Sequence, residues 1–495
     1  MAGLLNLPKE ILCEICAYLC AHCCGTIHSF PESKNTNARR PTHDLAALCR
    51  TSHHLYNVAK SYLYHFIRWT AEQTRTPPLF ELTNEVITSP ELVQSIRAIE
   101  YHCPNRTTLS LNDRPFEYIE SSGCRPLALG EPTSLFPVSP QWHQFRNGND
   151  TESRAKPDVL QLLLTNATNV KEMKLTLNSS MEFPPQWLLR AELFLSSLRT
   201  LHVVAGKGSH HLTIDPLLQL APNLERLSLS GLGNPRPFPP SPAFELTNLT
   251  DLRLGGCEIL GRRFLRQLIY NCARLKVFAM CFPVDEFDYD RTLPILRRYA
   301  VTLLGKRHMA SLRSLCLGFD HGYPRRRFRG LYLRDFEMLE RFCVTLDDIM
   351  DRDTDSKIRD IQLALAQPSS DPSEPQCQDD FLAEALPESI KELYLTDELD
   401  LFRNSHVISA NMLISVNLWG LDTALRNGRF PNLQEVAISR SIWKPVANTL
   451  SVPVPPTPCS AAAERLQKLG RAWADRGGPR LIDTPPARVV YDSWH

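Results

Sequence analysis

The sequence carries almost no net charge. Its 55 Lys and Arg residues stand against 54 Asp and Glu, giving +1 over 495 residues, so no global field steers it toward nucleic acid or an anionic membrane. Long hydrophobic runs are missing as well. None reaches the ~18 apolar residues of a spanning helix, and no membrane association is expected. Glycine is scarce, 21 residues against 38 prolines, which favours rigid loops over flexible linkers. The first residues lack a basic leader region, and Lys9, Glu10 and Glu14 interrupt the first apolar stretch, so no secretory signal is expected. The fifteen cysteines then point to a reducing compartment, cytoplasmic and/or nuclear, with thiols serving as small apolar residues. Catalytic fingerprints are absent too: there is no Walker loop, Rossmann glycine motif, H-E-x-x-H or G-x-S-x-G elbow. His210-His211 has no nucleophile or ligand partner at a recognisable spacing. Neither an enzyme nor a cofactor is expected.

What is present is a repeated phrase, apolar-x-x-apolar-x-apolar. It starts at Val170, Leu198, Leu224, Leu249, Leu275, Leu312, Leu339, Ile390 and Leu433, with an early degenerate copy near Ile96. From 170 to 275 the successive starts differ by 28, 26, 25 and 26 positions, and 312 to 339 differ by 27. The fullest copy, Leu249-x-x-Leu252-x-Leu254-x-x-Cys257-x-Ile259, resembles the leucine-rich repeat, whose period is ~20–29 residues. One phrase buries about three large side chains at roughly 1.5–3 kcal/mol each. That does not offset the ordering of a whole repeat at ~1–2 kcal/mol per residue, so such units are stable only when stacked. The segments 217–221 and 264–272 have helical period, whereas GLGNPRPFPPSPAFE after Ser230 excludes helix. The wider gaps 275–312, 339–390 and 390–433 imply inserted loops or extra helix.

At the N-terminus, Leu7, Ile11, Leu12, Ile15 and Leu19 form a helical stripe. Pro8 suits the first turn and Glu10 complements the helix dipole. A second stripe follows at Leu45, Leu48, Cys49, Leu55, Val58, Ala59, Tyr62 and Leu63. The wording L-P-x-E-I-L-x-x-I-x-x-Y-L, then D-L-x-x-L-C-R-T-S, resembles an F-box, with Leu55 standing where a typical F-box carries Trp. Taken together, the resemblances imply an α/β fold: an N-terminal helical F-box followed by an irregular leucine-rich-repeat solenoid. The expected organisation is a helical domain at 1–68 with a long insert at 20–43, then a connector at 69–164 with a first degenerate repeat and a loop insert. The array follows at 165–445, and a Pro-rich linker with a C-terminal cap at 446–495. Within the cap, Ala461–Asp475 reads as a helix with Leu466, Leu469 and Trp473 on one face, and Leu481-Ile482 and Arg488–Tyr491 could add a last strand.

This resemblance implies the substrate-receptor subunit of an SCF-type ubiquitin ligase, a role without chemistry of its own. Leu7, Pro8, Ile11, Leu12, Ile15, Leu19, Leu45 and Leu48 would then bury against the Skp adaptor, and through it the chain would join a cullin–RING ligase. A protein substrate would lie on the sheet face opposite the core, where the third and fifth residues of each phrase point. Arg226, Ser228, Asp251, Arg253, Arg341, Glu392 and Tyr394 are the candidate contacts, and their mixed charge names no substrate class. The alternative keeps the repeats but has no ligase role: a scaffold, or a nuclear binding protein using Arg325–Arg329.

Two clusters invite a metal. Cys13-x2-Cys16-x3-Cys20-x-His22-Cys23-Cys24, with His28 beyond, contains C-x2-C spacing, but no second such pair follows to complete four ligands. These cysteines read as thiols packed along the first helix, and no metal is expected. Asp351-x-Asp353-x-Asp355 resembles the start of a calcium loop, but Ser356 and Gln362 stand where Gly and Glu are required.

Overall fold

The computed structural model describes residues 2–20, 22–24, 41–70, 89–102, 167–177, 195–205, 215–231, 246–255, 262–283, 293–320, 333–345, 381–396, 418, 420–439 and 458–484. His28, residues 103–157, His210-His211, the Pro-rich sequence from 232, Arg325–Arg329, the acidic triplet at 351–355, and residues 367–378, 452–457 and 488–491 lie outside them. The chain is α/β, and its twelve described strands run in sequence order with every described register parallel. Two compact units divide it, 1–180 with 185–197, and 181–184 with 198–495.

The first unit opens with four helices: α1 (Ala2–Leu5), α2 (Lys9–Leu19), α3 (Pro41–Cys49) and α4 (His53–Leu63). Ser52 caps α4, its Oγ accepting from the Leu55 N–H at 3.1 Å, which satisfies one of the donors a helix start leaves open. Leu12, Cys16, Cys20, Leu45, Leu55, Val58 and Ala59 form the core of this bundle, and Leu7, Leu19 and Leu48 pack against its edge. Strands β1 (Phe66–Thr70), β2 (Ala98–His102) and β3 (Glu172–Leu177) follow, with α5 (Pro90–Ser95) leading into β2. Strand structure thus begins at residue 66, well before the expected array and beside the helices. Register pairs Ile67 with Ile99, and Ile99 with Met173, on the buried face. On the other face it sets Glu100 between Arg68 and Lys174, at 3.3 and 3.0 Å.

The second unit holds β4 (Thr200–Ala205), β5 (Arg226–Ser230), β6 (Asp251–Gly255), β7 (Val277–Pro283), β8 (Ser314–Asp320), β9 (Arg341–Thr345), β10 (Glu392–Thr396), β11 (Glu435–Ser439) and β12 (Arg480–Thr484). Each phrase places its first apolar residue just before a strand and its fourth and sixth within it. Successive phrases stack in register as Leu201, Leu227, Leu252, Phe278, Leu315 and Phe342. A second row stacks beside it as Val203, Leu229, Leu254, Met280, Leu317 and Val344, and both rows are buried. One backbone device recurs at every step from β4 to β11. The carbonyl of the second phrase residue accepts from two consecutive N–H groups of the next repeat, as Arg199 does from Glu225 and Arg226 at 2.8 and 2.9 Å. Thr250 does the same from Lys276 and Val277.

Helices cover the core side. In α6 (Asp215–Leu220) and α7 (Arg262–Asn271) the residues of helical period, Leu217, Leu218, Phe264, Leu265, Leu268 and Ile269, are buried as expected. The wide gap before Leu312 holds α8 (Leu293–His308), and that before Ile390 holds α9 (Phe381–Ala385). After β5, Gly231 adopts φ +70°, and a Cβ there would lie 2.2 Å from the Ala205 carbonyl oxygen, so only glycine fits. The last helix, α10 (Pro458–Asp475), starts three residues earlier than its period suggests and buries Leu466, Leu469 and Trp473. Its Gly470 lies against Leu481 of β12. Among the described residues no helix is long and apolar enough to cross a membrane.

Candidate functional site

In the first unit, α2 is sorted into two faces by its neighbours α3 and α4. Leu12 and Cys16 point into the bundle, at 1% exposure each. On the outer side Pro8, Ile11, Ile15 and Tyr18 follow spacings of three, four and three, which align them along one helical seam. Ile11 is 40% exposed and Tyr18 81%, and Leu5 of α1 adds a third exposed apolar side chain at 45%. The eight residues read from sequence as one docking set therefore divide. Leu12 and Leu45 are interior, and Leu7, Leu19 and Leu48 pack against that interior, because α3 and α4 claim the apolar arc that faces them. Pro8, Ile11 and Ile15 remain toward the outside. Leu5 and Tyr18 are not among those eight, although Tyr18 is the Tyr of the F-box-like wording and the period of α2 places it in line with Ile11.

The second unit offers the sheet face opposite the core. Of the seven residues expected there, Arg226 is exposed, and Ser228, Arg341, Glu392 and Tyr394 are half-buried. Asp251 and Arg253 are not open: the arginine is 4% exposed. Its Nε and guanidinium NH2 group donate to the two carboxylate oxygens of Asp251, each at 3.0 Å. This bidentate pair satisfies both charges where water is excluded. Arg341 Nε donates to Ser314 Oγ at 2.9 Å, and the Tyr394 hydroxyl donates to Glu392 at 3.0 Å. Burial first, then the Glu392 charge, holds that hydroxyl protonated well past its ordinary range. Between these polar groups Ala279, Cys316 and Cys343 form a small buried cluster with Tyr394 against it. Cys316 and Cys343 are register partners, and their mutual hydrogen bond together with burial pushes the Cys316 thiol far up. The face is thus tightly self-paired in the middle strands, with its accessible groups at Arg226 and along β9 and β10.

A third group lies where α2 ends. Cys20, Cys23 and His65 bring their ligand atoms within 4.8 Å of one another. Burial, then the charges of His22 and Arg97, lowers the His65 pKa to about 4, so the ring is neutral. Reading Cys20 as a packed thiol matches its 2% exposure, but His65, 45 positions away, could not be paired with it by spacing. No family model matches the chain, and no curated protein matches it.

Proposed function

We propose that the chain is a substrate receptor of an SCF-type ubiquitin ligase, docking onto a Skp-type adaptor through the outer seam of α1 and α2. The observation that supports this reading is the exposure of Ile11 and Tyr18 along one seam of α2, and of Leu5 on α1, while the other side of α2 packs into the bundle core. The L-P-x-E-I-L wording adds the F-box resemblance to that geometry.

In this reading the parallel sheet is the leucine-rich array and holds a protein substrate through Arg226, Arg341, Glu392 and Tyr394, with Asp251 and Arg253 as their support. The mechanism is positional: the receptor raises the local concentration of substrate lysines near the charged conjugating enzyme and forms no bond itself. Cytoplasm and nucleus are the compartments this role requires.

Co-purification with the Skp adaptor tests it. Wild type should recover the adaptor, and an Ile11→Ala/Tyr18→Ala variant should lose most of it, since central interface anchors cost at least ~1–2 kcal/mol each when truncated. Both side chains are exposed, so the variant should melt as wild type does. A folded wild type that recovers no adaptor removes the ligase reading.

A further inference from the structure

Helix α2 ends at Leu19 and Cys20 is extended; a separate turn follows, in which the Cys24 N–H donates to the Cys20 carbonyl at 3.0 Å. That turn puts Cys20 and Cys23, three residues apart, on one side of the chain. The end of α4 brings His65 to the same point. Its Nδ1 lies 3.3 Å from Cys23 Sγ and 3.9 Å from Cys20 Sγ. His22 Nδ1 is 3.7 Å from Cys23 Sγ, and the rings of His22 and His65 meet edge to face at 5.9 Å.

These separations have a specific meaning. A tetrahedral zinc ion with Zn–S of ~2.3 Å and Zn–N of ~2.0–2.1 Å sets its sulfur and nitrogen ligands about 3.6 Å apart, and two sulfurs about 3.8 Å apart. The sulfur–nitrogen distances of 3.3 and 3.9 Å bracket that spacing. We propose that Cys20, Cys23 and His65 bind one zinc ion. His22, whose Nδ1 lies 3.7 Å from Cys23 Sγ, offers a further nitrogen beside the site. Binding exchanges two thiol protons for one Zn2+, so two thiolates, a neutral imidazole and the dication sum to zero charge. A neutral centre suits a place where Cys20 is buried and His65 half-buried, since an uncompensated charge there would be costly.

The ion would clip the end of α2 to the end of α4 across 42 to 45 residues of intervening chain. A clip across a long loop removes unfolded-state freedom, and this one would hold the helix that carries Ile11 and Tyr18 at a set angle to its neighbours. The proposal stands apart from any adaptor: it concerns only what the three side chains bind.

The test uses the full chain, purified without a polyhistidine tag under reducing conditions, with metal content measured by inductively coupled plasma mass spectrometry. Cobalt(II) is then titrated into reduced, chelator-stripped protein as a spectroscopic stand-in. The expected result is one zinc per chain, a thiolate-to-cobalt charge-transfer band, and tetrahedral d–d bands. Cys23→Ser, at an exposed position, should lose the zinc and weaken cobalt binding by more than the roughly 10–100-fold cost of losing an outer-shell partner. Cys24→Ser, one residue on and also exposed, should retain both. Three results would overturn the proposal. These are a wild type that carries no zinc and gives no cobalt bands, zinc retained in full by Cys23→Ser, and a Cys20–Cys23 disulfide that persists in reductant and leaves no thiol to bind.

Discussion

The indole N–H of Trp473 donates a 2.7 Å hydrogen bond to a carboxylate oxygen of Asp422, 51 residues earlier in the chain. Asp422 is 1% exposed, and the guanidinium groups of Arg426 and Arg476 reach it from the side. One buried charge thereby ties α10 to the helical residues 420–426 that precede β11.

Replacing Asp422 with Ala should destabilise the second unit by ~1–3 kcal/mol, because it strands a buried indole N–H, whereas Arg426 and Arg476, about half exposed, can turn to water. Burial alone would raise this carboxyl, but the bonds from Arg476, Trp473 and Arg426 outweigh it and hold the pKa below its ordinary value. The folded state therefore gains stability above the usual carboxylate range, near ~4, and loses it as pH falls through the lower folded value. Urea unfolding from pH 7 to pH 3 should show that acid limb in wild type and a flatter one in Asp422→Asn.

His308, at the end of α8, shifts with the same sign from a different cause. It accepts from the Leu275 N–H through Nδ1 at 3.4 Å, which leaves Nε2–H to donate to the Ile269 carbonyl at 2.9 Å. Burial, chiefly, lowers its pKa, with the Ile269 bond acting in the other direction. Below its ordinary value of ~6.5 the unfolded chain takes up a proton that the folded ring refuses, so stability falls as the pH drops through that window. Chemical denaturation at pH 7.5 and 5.5 should show the fall in wild type. His308→Leu should cost ~1–3 kcal/mol at pH 7.5 and lose the pH-dependent part.

Ile11 and Leu12 should separate stability from docking. Leu12→Ala opens a cavity in the helical core and should cost ~2–5 kcal/mol. Ile11→Ala, on the seam, should stay within about 0.5 kcal/mol of wild type while weakening adaptor recovery. Circular dichroism melts read the first effect and pull-down the second. Equal destabilisation by both would place Ile11 in the core.

On the sheet face, Arg253 and Asp251 predict a non-additive pair. Either Arg253→Met or Asp251→Leu alone removes one partner of a buried ion pair and should cost ~3–5 kcal/mol, whereas the double variant should recover much of that loss. A double-mutant cycle by urea unfolding measures the coupling. If instead each single change is mild and substrate binding is lost, the pair faces a ligand rather than its own sheet.

The phrase pattern was legible in the sequence because the inward side chains of a strand are set by a local alternation that nearby positions express. Leu249, Leu252 and Leu254 are buried where the pattern puts them, and so are Phe264, Leu268 and Trp473. The strand beginning at Phe66 is harder to read because its copy of the phrase is degenerate, Tyr64-x-x-Ile67-x-Trp69, with aromatic residues in two of the three apolar places. Charge on the sheet face misled in a different way. Asp251 and Arg253 look like surface residues by type, and their mutual bidentate pairing helps both to be buried.

What the sequence by itself determined is the set of side chains with core and outer positions along each strand and helix, because periods of two and 3.6 residues are properties of the local backbone. The tertiary structure alone decided which apolar residues of α2 stay outside and which distant residues meet. Ile11 is exposed and Leu12 buried because α3 and α4 cover one arc of the helix and not the other. His65 stands beside Cys20 and Cys23 because α4 returns the chain to the end of α2, and contact across 45 positions depends on that folded path rather than on any spacing along the chain.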